Sequence, residues 1–284
     1  MAAFTNQATL TYRGGTASSN IVTGEVIDVL SAAKAATATT YTTGDTVTYV
    51  LSLVNTGASP LTSLTVSDDL GAYPFGAGTL TPLDYVDGSI LFYINGVLQA
   101  APAVTAGPPL TISGISIPAG GSAVIVYRAS VNGFAPTAEG SEIVNTATIT
   151  GGGLSSPTTA SATVFAENAA SLTISKALCP ATVAENDTLT YTFLISNTGN
   201  TAAVATDDIS VTDTFDPILT DLTVTLDGVP LTEGTDYTYD EATGVFTTLP
   251  GRITVPAATI TQDPVTGVYT TTPGTATLVV TGTV

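Results

Sequence analysis

The sequence predicts an all-β protein: two tandem Ig-like β-sandwich domains preceded by an N-terminal donor strand. Three observations carry the prediction. Apolar and polar residues alternate in short runs, and no window of helical length keeps a 3.6-residue period. Threonine and valine, whose branched side chains suit a pleated, half-buried surface, are abundant. The second half of the chain echoes the first.

The echo sets the domain boundaries. "GDTVTYVLSLVNTG" (residues 44–57) matches "NDTLTYTFLISNTG" (186–199), a shift of 142 residues. The same shift carries Lys34 in "SAAK" onto Lys176 in "TISK". "LTVSD", ending at Asp68, resembles "ISVTD", ending at Asp213. "ISIPAGGSAVIVYRASV" (115–131) resembles "ITVPAAT" (253–259) followed by "TATLVVTGTV" (275–284). Repetition at this period means tandem domains. The expected parts are a donor-strand segment at 1–27, a first sandwich at 28–166 and a second at 167–284. Each sandwich is expected to have about seven strands. Asn95-Gly96 and Asp227-Gly228 fit tight hairpins, and Pro118 and Pro256 sit where a strand has finished.

The two repeats close differently. After "IVYRASV" the first continues to "IVNTATITG" and "TTASATVFA", and the second has no such continuation in this sequence. The corresponding likeness stands at the N-terminus, in "FTNQATLTY" followed by "SSNIVTGEVIDV". The expectation is that the second sandwich is incomplete and is completed by the N-terminal strand of a neighbouring subunit. Such a contact is heterologous and builds an open filament unless the rotation closes a ring. The plainer alternative makes the N-terminal run an ordinary first strand of the first sandwich. Alternation puts the donor residues Phe4, Asn6, Ala8, Leu10 and Tyr12 on one face. Burying Phe4, Leu10 and Tyr12 would contribute about 5–9 kcal/mol before ordering costs.

Composition narrows the function classes. The formal charge is −18, with five basic residues, which argues against nucleic acid or an anionic membrane as partner. No apolar run is long enough to insert in a membrane. With no histidine and no nucleophile elbow, an enzyme is not expected. Asp68-Asp69 and Asp207-Asp208 are adjacent acids without the spacing of a calcium loop, so no metal and no cofactor is expected. The single cysteine, Cys179, excludes an intrachain disulfide; it is either a buried thiol or a partner between chains.

Polar residues interrupt several apolar faces. Leu30, Ala32 and Lys34 share a face, as do Leu64, Val66 and Asp68, and as do Ile143, Asn145, Ala147 and Ile149. The second repeat gives Leu172, Ile174 and Lys176, then Ile209, Val211 and Asp213. Lys34 and Lys176 are the only lysines. Lysine and aspartate are rarely buried unpaired, because desolvation costs too much. Two chemistries fit. One is a buried ion pair with asparagine as a hydrogen-bond partner. The other is an amide crosslink: a desolvated lysine loses its charge and attacks an asparagine carbonyl polarised by a protonated carboxyl group, releasing ammonia. In the second repeat the asparagine would be Asn6, arriving from the next subunit.

The signatures "SK", "GDTVTYVLSLVNTG", "VSD" or "VTD", and "NTAT", in this order, resemble a bacterial surface repeat family, domain of unknown function eleven. They are also similar to isopeptide-forming fimbrial domains of Gram-positive bacteria. In those relatives a first-strand lysine bonds to a last-strand asparagine with a carboxylate assisting. The resemblance implies Lys34–Asn145 with Asp68, and Lys176–Asn6 with Asp213. The expected function is therefore the structural subunit of an extracellular, self-assembling filament on a cell or spore surface, with other copies of itself as partner. The alternative is a monomeric adhesin or carbohydrate-binding module, for which Tyr73, Phe75, Tyr85, Phe92 and Tyr93 would be the aromatic surface.

Overall fold

The computed structural model describes residues 2–284. Among them the fold is all-β apart from one 3₁₀ turn at Ala205–Asp207. The chain divides into two compact units. The first holds the residues up to Pro136 together with Glu142–Phe165; the second holds Thr137–Ser141 and Ala166–Val284.

In the first unit two six-stranded sheets enclose one core. One sheet runs in the order Val97–Gln99, Leu91–Ile94, Ser122–Val131, Thr46–Asn55, Leu30–Ala36, with Leu83–Tyr85 also paired to Ser122–Val131. The other runs Ala103–Thr105, Leu110–Ile117, Leu61–Asp68, Glu142–Thr150, Thr158–Ala166, Thr40–Tyr41. Three of these strands are named here by the residue each carries: the lysine strand (Leu30–Ala36), the aspartate strand (Leu61–Asp68) and the asparagine strand (Glu142–Thr150). Strict alternation builds the core. Thr46–Asn55 buries Val47, Tyr49, Leu51 and Leu53, and the aspartate strand buries Leu64 and Val66. Each such side chain contributes roughly 1.5–3 kcal/mol of transfer free energy.

The unit has more strands than the seven or so expected. The additional ones are short and come largely from residues 73–105, where Tyr73–Phe75 and Gly78–Leu80 form a small sheet of their own and the later strands extend the large sheets. Only the Asn95-Gly96 turn signals them in sequence. It joins Ile94 to Val97 with φ of 50° and 79°, the left-handed pair that a two-residue hairpin loop needs. Asp227-Gly228 does the same between Leu226 and Val229, with φ of 49° and 80°.

The first sheet of the second unit repeats the five-strand path of that of the first, without a counterpart of Leu83–Tyr85. Its order is Leu172–Cys179, Thr188–Asn197, Gly274–Thr283, Thr220–Leu226, Val229–Pro230. The other sheet has only three strands: Tyr237–Asp240, Val245–Thr248 and Thr212–Thr214. These correspond to Ala103–Thr105, Leu110–Ile117 and the aspartate strand. Among the described residues, no strand of this unit stands where the asparagine strand and Thr158–Ala166 stand in the first. The core is aromatic, with Tyr191, Phe215 and Phe246 packed together and Tyr191–Phe215 stacked at 4.8 Å.

The N-terminal segment is a hairpin rather than a single strand. Ala2–Asn6 pairs with Val22–Val26, and Thr9–Tyr12 pairs with Gly15–Ser18. From Ala3 to Val26 its residues are exposed except for half-buried Gly24, over which the Phe4 ring lies. Phe4, Leu10, Tyr12 and Val22 are all more than half exposed. An isolated two-stranded hairpin is marginal in water, and this apolar surface lacks the cover that the two large sheets of the first unit give each other.

The repeated "NTG" is a structural brace. Buried Asn55 donates Nδ2 to the carbonyls of Ser59 and Pro118 at 2.9 and 3.0 Å, and its Oδ1 accepts from Gly57 N–H at 2.9 Å. Asn197 repeats this with the Thr201 and Pro256 carbonyls and Gly199 N–H. Each asparagine thus satisfies carbonyls that the ladder leaves free. Asn55→Ala and Asn197→Ala are each expected to cost about 1–3 kcal/mol per buried group left unpaired, measured by urea unfolding of each variant.

Candidate functional site

In the first unit three of the predicted polar residues converge between the two sheets. Register brings them there: each sits at an inward position of its strand, and Ala147, two residues after Asn145, pairs with Asp68. Lys34 Nζ lies 2.7 Å from Asp68 Oδ2, with both side chains essentially closed to solvent. The Tyr127 hydroxyl donates to the same oxygen at 2.6 Å, and Asn145 Nδ2 donates to the Tyr127 hydroxyl at 3.0 Å. Asp68 Oδ1 accepts from Leu70 N–H. Lys34 Nζ also faces the Tyr49 and Tyr127 rings, 5.1 and 5.8 Å from their centroids. Those rings are cross-strand partners, stacked at 5.5 Å. Asn145 Oδ1 and the Tyr49 hydroxyl are buried without a hydrogen bond.

The electrostatics follow from this burial. Desolvation pushes the Lys34 ammonium below the usual lysine range, and the Asp68 carboxylate opposes the shift. Burial pushes the Tyr127 hydroxyl up, with the Asp68 charge adding to it. Burial also raises Tyr49, although the nearby Asn145 amide pulls the other way. The pocket therefore holds an amine whose charge burial disfavours and Asp68 supports, beside two phenols that burial keeps neutral, with one asparagine carbonyl oxygen held unpartnered.

The second unit repeats half of this site. Lys176 Nζ contacts Asp213 Oδ2, but the lysine is 40 % and the aspartate 20 % exposed. Its ammonium lies 4.4 Å from the Tyr191 ring centroid, and Tyr191 occupies the repeat position of Tyr49. Val280 stands opposite Tyr191, where Tyr127 stands opposite Tyr49. Beside the pair runs an apolar groove lined by Leu172, Ile174, Ile195, Ile209 and Val211. Ile174 is 55 % exposed and Leu172 39 %, whereas Leu30, at the repeat position of Leu172, is 6 %. Residues 209–211, which line the groove, lead directly into the Thr212–Thr214 strand, the counterpart of the aspartate strand.

The remaining predicted residues fall elsewhere. Asn6 is exposed in the N-terminal hairpin, paired across it with Val22. Asp69 Oδ1 accepts from Gly71 and Thr146 N–H, and Asp207 Oδ2 accepts from Val204 N–H, so these acids serve local turns. Cys179 is exposed, which corrects the reading of it as a buried thiol: it lies on the uncovered strand Leu172–Cys179. Tyr73, Phe75, Tyr85 and Tyr93 are half-buried and Phe92 is buried, so they form no open aromatic platform. Sequence reasoning missed Tyr49 and Tyr127. The signal for Tyr49 was its recurrence as Tyr191 in "TVTY" and "TLTY"; Tyr127 has no counterpart to betray it.

A family model described as the Sgo0707 N2 domain matches residues 167–278, within the second unit. It is not the repeat family that the motifs suggested. No curated protein matches the sequence. Among solved structures the chain is similar to BcpA, the major pilin subunit of Bacillus cereus, at 13 % identity over 96 % of this chain and 73 % of that one, with a TM-score of 0.36. It is similar to a collagen-binding domain from a Staphylococcus aureus adhesin at 13 % identity, over 49 % of this chain and 99 % of that one, TM-score 0.31. It is also similar to the pilus backbone RrgB of Streptococcus pneumoniae at 12 % identity, over 86 % and 55 %, TM-score 0.32.

The two lysine–aspartate pairs should differ in energy. Asp68→Ala leaves a buried ammonium unpaired and is expected to destabilise the first unit by about 3–5 kcal/mol. Asp213→Ala breaks a pair that water reaches and should cost about 0–1 kcal/mol. Chemical denaturation of the two variants separates these values. The pH dependence has a definite sign where Lys34 is a free amine. Its lowered pKa means that the unfolded chain binds a proton the folded chain gives up, so stability rises with pH toward about 10.4. The raised Tyr49 and Tyr127 values reverse the slope above about pH 10, where unfolded tyrosines ionise first. Urea midpoints across the alkaline range are expected to pass through a maximum.

Proposed function

We propose that this chain is the structural subunit of an extracellular filament on a cell or spore surface. Copies assemble head-to-tail: the N-terminal segment of one enters the second unit of the next. One observation carries the reading. The main strands of the second unit match those of the first, apart from the strands that would cover the edge beside Asp213, and the N-terminal segment resembles the sequence of the strand that covers the corresponding edge beside Asp68. The groove at that edge is apolar and open, and the segment that matches it is apolar and exposed. An exposed edge of this kind otherwise invites uncontrolled pairing. The role needs no substrate turnover, and the chain is not read as an enzyme. A donor from another copy makes the contact heterologous, and repetition of it gives a row of subunits.

The Lys34 site also supports a covalent clasp in the first unit. Proton transfer from Lys34 Nζ to Asp68 Oδ2, across 2.7 Å, leaves a neutral amine beside a neutral acid. Turning the Asn145 amide about its last bond sets Oδ1 against the Tyr127 hydroxyl, which then polarises the carbonyl. Lys34 Nζ attacks Cγ, the Cγ–Nδ2 bond breaks, Nδ2 takes a proton from the attacking nitrogen, and ammonia leaves. In the second unit Lys176 and Asp213 take the same parts, Asn6 of the next copy supplies the amide, and Val280 in place of Tyr127 leaves Asp213 as the proton carrier.

Deleting residues 1–12 is expected to leave soluble monomers under conditions where the full chain forms fibres, as seen by negative-stain microscopy. An adhesin acting as a monomer would be indifferent to the deletion. The clasp lowers the intact mass by one ammonia per bond, and Lys34→Met should restore one of them. A full-mass chain that runs as a monomer in boiling detergent would remove the covalent part while leaving donation intact.

A further inference from the structure

We infer that the donated element is the whole N-terminal hairpin, two strands rather than one; this rests on the filament reading above. In the first unit the asparagine strand does not cover the aspartate strand alone. It carries Thr158–Ala166 on its other side, and that strand in turn pairs with Thr40–Tyr41. Ala2–Asn6 with Val22–Val26 reproduces this pair in register, while Thr9–Tyr12 with Gly15–Ser18 is shifted by one residue. Asn145 pairs with Ala162, and Asn6 pairs with Val22; Glu142 pairs with Phe165, and Ala3 pairs with Glu25. Val22–Val26 is therefore the counterpart of the second half of Thr158–Ala166, as Ala2–Asn6 is of the start of the asparagine strand.

The acceptor has a place for both. Unbroken alignment from Lys34 to Tyr49 against Lys176 to Tyr191 puts Ala181 at the position of Thr39 and Val183 at that of Tyr41. In the first unit Phe165 N–H donates to the Thr39 carbonyl at 3.0 Å, which ties the outer strand to the sheet. The counterpart is Glu25 N–H of one copy donating to the Ala181 carbonyl of the next. On the inner side, the pairings of Ala147 with Asp68 and Ile149 with Val66 translate to Ala8 opposite Asp213 and Leu10 opposite Val211. That register sets Asn6 toward the lysine–aspartate pair, as Asn145 is set in the first unit. It also covers Leu172 and Ile174, which water now reaches.

Two donated strands change what assembly does to the edges. A single strand entering the groove would present a new unpaired edge to solvent. The hairpin brings its own partner strand, and the ladder then ends against residues 181–183, closing that side of the sheet as the first unit closes it. Phe4 lying over Gly24 fixes the two strands to each other before they dock, so less order is lost on binding.

The test uses full-length chains in a Cys179→Ser background. One preparation carries Glu25→Cys, the other Ala181→Cys, and the two are mixed, assembled and oxidised. Both positions are exposed, so neither change removes a buried side chain. Disulfides need Cα atoms within roughly 4.4–6.8 Å, so hairpin donation predicts at least about tenfold more heterotypic disulfide than Glu25→Cys mixed with Val229→Cys, an exposed position on the far edge of the other sheet. Peptide mass spectrometry identifies the linked pair. Fibres with no excess of that disulfide would overturn hairpin donation and leave single-strand donation standing. Failure of the unsubstituted chain to form fibres at all would overturn the filament reading, and this inference with it.

Discussion

The fold is organised around a charge pair that must be hidden. A lysine and an aspartate face each other between two sheets, and in the first unit water is excluded from both. Their mutual attraction repays desolvation only when the remaining polar atoms around them are also satisfied. That requirement explains the company they keep: two stacked tyrosine rings, one phenolic hydroxyl on the carboxylate, one asparagine on the phenol. Each comes from a different strand, so the pair cannot be sealed until both sheets are closed. The second unit has the same two charged residues and the same first sheet. Among the described residues no strand closes its second sheet, and there the pair stays open to water.

The all-β class, the repeat and the position of both lysines were legible in the sequence, because alternation and a fixed shift between repeats survive without any knowledge of packing. The "NTG" brace could be quoted but not understood; only the carbonyls gathered around Asn55 and Asn197 explain why an asparagine recurs there. The short hairpins of residues 73–105 escaped notice, since strands of three or four residues carry too little periodicity to register. Tyr127 escaped for a different reason. Its repeat partner is Val280, so comparison of the repeats hides it, and only the cross-strand register shows that the two occupy one place opposite a shared tyrosine. Cys179 was misjudged because the strand that carries it has a buried pattern but no cover.

The N-terminal segment marks the boundary of what a sequence can express. Its likeness to the end of the first repeat was plain, and its apolar face was plain. That it folds on itself was not, because the residues that pair across a hairpin are read only once the turn is placed. The pairing matters beyond detail: it converts a loose extended arm into a small preformed sheet whose Ala2–Asn6 pairing has the register of the one it resembles. Local and long-range signals agree in that segment, which is the mark of a sequence that specifies its structure.

Each chain bears one projecting hairpin and one uncovered groove, and these lie on different units. In the proposed filament this makes the row directional, with two chemically distinct tips. One tip always shows a hairpin with nowhere to go, and the other always shows a vacant groove beside Lys176. Growth at the two tips therefore proceeds through different encounters. An anchor or cap would need to resemble a hairpin for one tip and a groove for the other.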